Sequence, residues 1–396
     1  MLRNIEACKS LSKMTRSSLG PHGMNKIVIN HLDKLFVTSD AATIIKEVEV
    51  HHPAAKMIAT AAKMQEQEAG DGTNIVISLA GELMIQAESL LKMGLHPSEI
   101  LIGYEKAAKH ALNLLESMPN SKVEDIRDYD DVKKCIRTSV ASKQFGMEDV
   151  LSKYIAAACL YAMPENPLHF SVDNVRTLKV LGGTLQDSEV IHGLAIQRQS
   201  ETTVHHVKDA KIVVFNTSIE MQQGETKGTV LLKNADDLLN YTKGEEDQME
   251  NFVKGLADAG VNVVIGSGSV SEVALHFFEK YRMLVLKIMS KFELKRIAKA
   301  VGAMAVVKLE VPKPEEIGSA EEVSMKEISS TRVVIFTKDE DENKLATIVL
   351  RGSTNSLLDD AERAVDDGVN TIKSVVKDRR LLPGAGATEI YIADEV

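Results

Sequence analysis

The chain has 396 residues, 44% hydrophobic and 26% charged, with a formal net charge of −10. That length predicts two or three domains that each bury a core, and the acidic balance argues against nucleic acid, whose phosphates want a basic face. Cys8, Cys135 and Cys159 lack metal or redox spacing and suit a reducing, cytoplasmic setting; Met1–Glu6 carries no signal-peptide core, and no apolar run is read as long enough to span a membrane.

In chain order, residues 4–17 read as a helix, and 26–30 with 35–39 as a hairpin. Between them Leu19-Gly20-Pro21-His22-Gly23-Met24-Asn25-Lys26 reads as a turn. Asp40 stands where a strand stops and a helix at 41–49 begins, an N-cap position. Pro53 opens a helix that Gly70-Asp71-Gly72 breaks. The next helix carries Val76, Leu79, Leu83, Ala87 and Leu90 on one stripe and closes at Gly94. Pro97 opens a helix to Met118, followed by a turn at Pro119-Asn120-Ser121. Helices follow near 130–143 and 148–162, then strands at 174–182 and 190–198.

From Lys211 the pattern alternates. Strands at 212–215, 261–265, 284–288 and 305–309 interleave with helices at 235–260, 271–281 and 292–301, which predicts an α/β sheet. Strands at 333–336 and 346–350 precede a helix at 355–377, and Pro383-Gly384-Ala385-Gly386 opens a last helix. The fold class expected is multidomain: a mostly α part with one hairpin, an α+β part and an α/β part.

Gly20 and Gly23 permit positive φ and close approach of a ligand, Pro21 removes a donor, and successive N–H groups in such a turn form an anion nest to which Lys26 adds charge. It is not a Walker A loop, because Ile27 follows the lysine. Asp71 has two readings, a helix N-cap or a carboxylate for Mg²⁺ with Thr73 and the helix N-terminus on phosphate. Asp40 is equally ambiguous. Asp366 and Asp367 are a solvated acidic face or a site that activates water. Gly266-Ser267-Gly268-Ser269 lacks the third glycine and acidic partner of a dinucleotide site and reads as a strand–helix turn. The pairs His51-His52 and His205-His206 lack metal-site partners in the sequence.

Taken in order, these stretches resemble the group II chaperonins. Leu19–Lys26 resembles the family's phosphate-binding turn, and Thr38–Lys46 with Pro53-Ala54-Ala55-Lys56 its next signature. Gly70–Asn74 resembles its magnesium and phosphate loop, Glu362–Asp367 the segment with the hydrolytic aspartate, and Gly384–Glu389 its glycine-rich return. Asn25–Leu32, Ser39–Thr43, Met64–Glu68 and Ser142–Gly146 resemble the versions in one subunit type of the eukaryotic cytosolic chaperonin.

The resemblance implies an equatorial ATPase domain (1–126, continuing at 382–396), an intermediate domain (127–196 and 348–381) and an apical substrate domain (197–347), with Lys227–Gly260 as a lid-forming protrusion. It implies ATP and Mg²⁺ as cofactors, other chaperonin subunits in a hetero-oligomeric double ring as partners, and unfolded proteins of the actin and tubulin class as clients. Leu19, Gly20, Pro21, Gly23, Gly72, Thr73 and Asn74 would contact the nucleotide, and Asp71 would hold Mg²⁺. Asp367 and Asp40 would position and activate water, Lys143 would sense the γ-phosphate, and Gly386 would lie near the ribose.

Ala41 and Ala385 replace glycines usual in the family and make the backbone less permissive. The resemblance also implies truncation at both ends, with most of the second equatorial half absent and an apolar helix stripe exposed. The motifs leave open a hydrolysis-deficient fragment that binds clients or partners through 197–347, or an inactive one. The helix at 271–281, with His276, Phe277 and Phe278, is a candidate client face.

Overall fold

The structure, a computed structural model, describes residues 1–118, 121–220, 235–338 and 344–396, with 235–245 as backbone only. It opens with α1 (Leu2–Arg16), then β1 (Lys26–Ile29) paired antiparallel with β2 (Leu35–Thr38). Three short-linked helices follow α2 (Ala41–Glu47): α3 (Pro53–Ala69), α4 (Thr73–Lys92) and α5 (Pro97–Ser117). Proline at N1 starts α3 and α5, where its missing N–H costs nothing, and Gly70 ends α3 at φ 77°. α1 packs on α3 and α4, and the group buries Cys8, Leu11, Ala55, Ile58, Ala62 and Ile77.

α4 is long and apolar enough to cross a membrane on length and composition, which corrects the reading that no stretch qualifies. The reading looked for an unbroken apolar run, and Glu82 and Glu88 interrupt this one. One side of α4 lies on α1 and α3, while Leu79 and Leu83 of its stripe stay exposed, as expected.

The second part comprises β3 (Ser121–Lys122), α6 (Tyr129–Ala141), α7 (Glu148–Tyr161), β4 (Val175–Leu181) and β5 (Glu189–His192). The third comprises β6 (Leu194–Ile196), β7 (His206–Phe215), α8 (Ala235–Asp258), β8 (Val263–Gly266), α9 (Glu272–Lys280), β9 (Leu284–Lys287), α10 (Lys291–Val301), β10 (Ala305–Val306), β11 (Gly318–Ile328) and β12 (Thr331–Thr337). The chain then returns through β13 (Ala346–Gly352), α11 (Asn355–Lys377), β14 (Arg380–Leu381) and α12 (Ala387–Glu395). β13 lies between β4, parallel to it, and β5, antiparallel, and β14 pairs with β3. α6, α7 and α11 pack with that sheet around Ile136, Leu151, Ile155, Ile348, Val365 and Ile372.

The larger sheet runs β6-β12-β11-β7-β8-β9, with β10 also on β7. Parallel pairing holds for β7, β8, β9 and β10, while β11, β12 and β6 are antiparallel, so the sheet is mixed. β11 is absent from the sequence reading. Its apolar positions Ala320, Val323 and Ile328 are separated by charged and small residues that hide the strand.

The strand expected at 190–198 is two strands in two sheets. It breaks at Gly193, φ 131°, where a side chain would stand 2.2 Å from the Phe336 carbonyl oxygen. β5 joins β13 on one side of that glycine and β6 joins β12 on the other. The strand expected to 309 ends at Val306.

Of the expected protrusion, 227–234 lie outside the described residues, and 235–258 are α8, whose end packs Met249, Val253 and Leu256 into the core. Residues 119 and 120 of the expected turn are also outside them. On α9, Phe278 is fully buried and Phe277 is partly buried against the same core, while His276 of the candidate client face is exposed.

Candidate active site

Five segments meet around a cavity of about 530 Å³: the start of α2, the end of α3 with the turn into α4, the loop after α6, Val172 between α7 and β4, and the middle of α11. Asp40, Gly70, Asp71, Thr73, Lys143 and Asp367 all line it. A packed interface joins the segments, since a side chain on Gly70 would stand 2.1 Å from Asn370 of α11.

Asp40 is the N-cap of α2, where its Oδ2 accepts from the Thr43 N–H at 2.9 Å and the Thr43 hydroxyl at 2.7 Å. That leaves Oδ1 to accept from Lys143 Nζ at 2.6 Å. Burial pushes this carboxyl up, but Lys143 and the Thr43 bonds outweigh it and hold Asp40 below the ordinary value. Lys143 Nζ also lies 3.3 Å from Asp367 Oδ2. Burial alone would lower Lys143, yet the charges of Asp367, Asp40 and Asp71 raise it, so it stays protonated.

Asp367 is the perturbed group. Burial pushes it up to about 7, with Asp71 and Asp40 adding and Lys143 opposing. Its Oδ2 accepts no aligned hydrogen bond, even with the ammonium 3.3 Å away. Asp366 also lines the cavity and is raised to about 6 by burial and Glu362. Asp71 is held by two donors: the Gly72 N–H to Oδ1 at 2.6 Å and the Ser139 hydroxyl to Oδ2 at 3.2 Å.

The 19–26 turn is tied to this assembly through the residues just before it and through His22. Asn74 donates to the Thr15 carbonyl at 3.1 Å and to Ser18 Oγ at 3.3 Å, and the His22 ring lies 4.8 Å from the Phe145 ring, two residues past Lys143. Gly20 takes φ 81°, and the Gly23 N–H donates to the Gly20 carbonyl at 3.0 Å. Leu19 is exposed, and Pro21 lies in the same turn. A Cβ on Gly23 would sit 2.3 Å from the Ser18 carbonyl oxygen, a main-chain atom fixed by the turn. Gly23→Ala is therefore expected to lower stability by roughly 1–3 kcal/mol, read as an earlier thermal transition.

Gly72 follows Asp71 directly at φ 82°. Of the residues expected to contact nucleotide, Leu19, Gly20, Pro21, Gly23, Gly72, Asn74 and Gly386 are not among the cavity residues; the turn of Gly386 is exposed and α12 packs on α5. Ala385 adopts φ 57°, a left-handed conformation that glycine takes without strain, whereas Ala41 is an ordinary helical residue at the start of α2. Lys26 starts β1 opposite Thr38. His52 Nδ1 accepts from the Ala54 N–H at 3.3 Å as the α3 cap, and His206 pairs with Glu322 at 2.9 Å.

Sequence reasoning missed Glu66, Ser139, Arg363 and Asn370. Only tertiary packing brings Ser139 to Asp71, and Glu66 and Arg363 sat unremarked within stretches already singled out.

The cavity suits a nucleotide with Mg²⁺. The side chains there able to ligate a hard cation offer oxygen, and the buried Asp367 Oδ2 accepts no aligned hydrogen bond. Among the described residues no group of three His, Cys, Asp or Glu is placed to hold a metal alone. Magnesium commonly takes one or two carboxylates and completes its octahedron with phosphate oxygens and water.

Gly70, the aspartates Asp40, Asp71 and Asp367 and the shared Lys143 thus gather around one cavity at the start of α4, in a chain of several packed units. A model of the TCP-1/cpn60 chaperonin family matches residues 11–396, and the chain belongs to that family. It is 51% identical over 390 residues to T-complex protein 1 subunit theta of Dictyostelium discoideum, covering 98% of this chain and 73% of that protein. Identity to the theta subunit of Arabidopsis thaliana is 49% over 398 residues, and to that of Homo sapiens 49% over 394; each alignment covers 100% of this chain and 72% of the relative. The chain is thus a group II, theta-like chaperonin chain.

Proposed function

We propose that this chain is an ATP-hydrolysing subunit of a cytosolic, hetero-oligomeric double-ring chaperonin that folds proteins of the actin and tubulin class. In this reading residues 1–126 and 382–396 are equatorial, 127–196 and 348–381 intermediate, and 197–347 apical. One observation carries it: Lys143, from 127–196, bridges Asp40 of 1–126 and Asp367 of 348–381. A charge shared by three stretches far apart in sequence is where phosphate chemistry can be coupled to domain movement.

Asp71 and the start of α4 would hold Mg²⁺ and phosphate, and the 19–23 turn would offer further N–H groups. When bound, Mg²⁺ neutralises charge on the transferred phosphoryl group. Asp367 is the proton acceptor for the attacking water, and Asp40 positions that water while fixing Lys143. Ring assembly is supported by the β1–β2 hairpin, a two-stranded sheet with Ile27 70% and Ile29 63% exposed.

The test is calorimetric titration with Mg-ATP together with sedimentation of the tagged chain in eukaryotic cytosolic extract. Saturable binding and migration with a ring-sized particle are expected. Absence of Mg-ATP binding would overturn the ATPase reading. Migration as a single chain or as aggregate would overturn the assembly reading. A second reading, a client-binding module without hydrolysis, is favoured by the two cores that flank the larger sheet, built from 197–347 together with Leu194 and Ile196. It predicts a folded 197–347 segment alongside no response to Mg-ATP.

A further inference from the structure

Two residues of the cavity carry buried polar atoms without a hydrogen-bond partner, and the atoms are complementary in kind. One is the acceptor Asp367 Oδ2, the other the donor Arg363 Nε. Arg363 precedes Asp367 by four residues on α11, so both side chains leave the helix on one face. Asp360, one turn earlier, accepts from Arg363 Nη2 and tethers the guanidinium. The neighbouring row on α11 is engaged elsewhere: Lys179 of β4 binds Asp359 at 2.7 Å and Glu362 at 2.8 Å.

The charge balance then singles out Arg363. Five carboxyl side chains line the cavity, those of Asp40, Glu66, Asp71, Asp366 and Asp367, against two cations, Lys143 and Arg363. Lys143 is already shared by Asp40 and Asp367. A guanidinium has five N–H donors in a planar fork that matches phosphate oxygens, and this one keeps a buried donor in reserve. A triphosphate entering such an acidic cavity needs positive charge beyond its metal, and Arg363 is placed to give it beside the aspartate assigned to water.

We propose that Arg363 is a phosphate-binding residue that meets the terminal phosphoryl group of the nucleotide next to Asp367. This rests on the ATPase reading; Arg363 lies within the Glu362–Asp367 stretch, where the sequence reading gave it no role.

The experiment compares Mg-ATP and Mg-ADP affinities by calorimetry for the full chain and its Arg363→Gln and Arg363→Lys variants, with thermal melting alongside. Arg363→Gln is expected to weaken Mg-ATP about 10- to 100-fold, the size of one charge-assisted contact, while leaving Mg-ADP within about twofold. Arg363→Lys, which keeps the charge and loses the fork, should fall between. Equal losses for both nucleotides, or none, would assign Arg363 a structural role and overturn the proposal. If Arg363→Gln does not fold, the ATP-selective loss in Arg363→Lys decides. A parent chain that binds neither nucleotide brings down the ATPase reading and this proposal with it, whereas a parent that binds Mg-ATP beside an indifferent variant brings down the proposal alone.

Discussion

Asp367→Ala is expected to leave Mg-ATP affinity within a few-fold of the parent and to cut turnover by roughly 10²- to 10⁴-fold, the range for loss of a positioned general base. Steady-state phosphate release, set beside calorimetric binding, measures the two separately. The expectation follows from geometry. Asp367 projects from α11 into the cavity, its Oδ2 is unclaimed by any aligned donor, and burial brings it to about 7, where a carboxylate accepts a proton readily. Turnover that survives the substitution would remove Asp367 from the chemistry.

The same raised value has a consequence for folding. An unfolded aspartate titrates near ~3.9, so between about pH 4 and pH 7 the folded chain holds a proton that the unfolded chain has released. Stability contributed by the neutral carboxyl is therefore lost as pH rises through that window. Asp367→Asn, which never ionises, should gain stability relative to the parent from about pH 4 to pH 7. Parallel melting curves over that range would contradict the buried, proton-holding state of Asp367.

Lys143→Met is the second large effect. The lysine and its two aspartates are each only 12–14% exposed, so removing the cation strands two buried carboxylates. Breaking a buried pair from one side costs about 3–5 kcal/mol, and protonation of Asp367 will recover part of it. Asp40 sits on α2 and Asp367 on α11, so the loss should appear as faster hydrogen exchange in both α2 and α11 and not as uniform destabilisation. Adding Asp367→Asn to Lys143→Met should restore much of it, because one stranded charge disappears. The sign with pH is opposite to that of Asp367. The lysine is raised above its ordinary value, so its contribution is complete at neutral pH and fades only as alkaline pH takes off its proton.

Two of the candidate site residues sit at local signals: Asp40 follows a strand and caps a helix, and Asp71 lies between two glycines before another; Asp367, inside the apolar stripe of α11, stood out from Asp366 only through the family resemblance. Helix starts were equally open, since proline at N1 and the glycine at the end of α3 act within a turn of their own position. Other features could not be read this way. β11 hides behind alternating charge, because its strand identity comes from pairing with β7 and β12 rather than from its own residues. Gly193 divides one apolar run between two sheets, and only the Phe336 carbonyl beside it shows why. Gly386 belongs to a motif yet lies away from the cavity, which spacing along the chain does not reveal.

By itself, then, the sequence determined the family and most of the helices and put forward candidate residues, because these depend on residue type and on contacts within a few positions. The tertiary structure alone decided that Lys143 is shared between Asp40 and Asp367, that Ser139 holds Asp71, and that Arg363 is the cavity cation with a donor left over. Those are contacts across as many as 224 positions, from Lys143 to Asp367 (367 − 143), and electrostatic perturbation depends on distance and burial in space, neither of which the order of residues encodes locally.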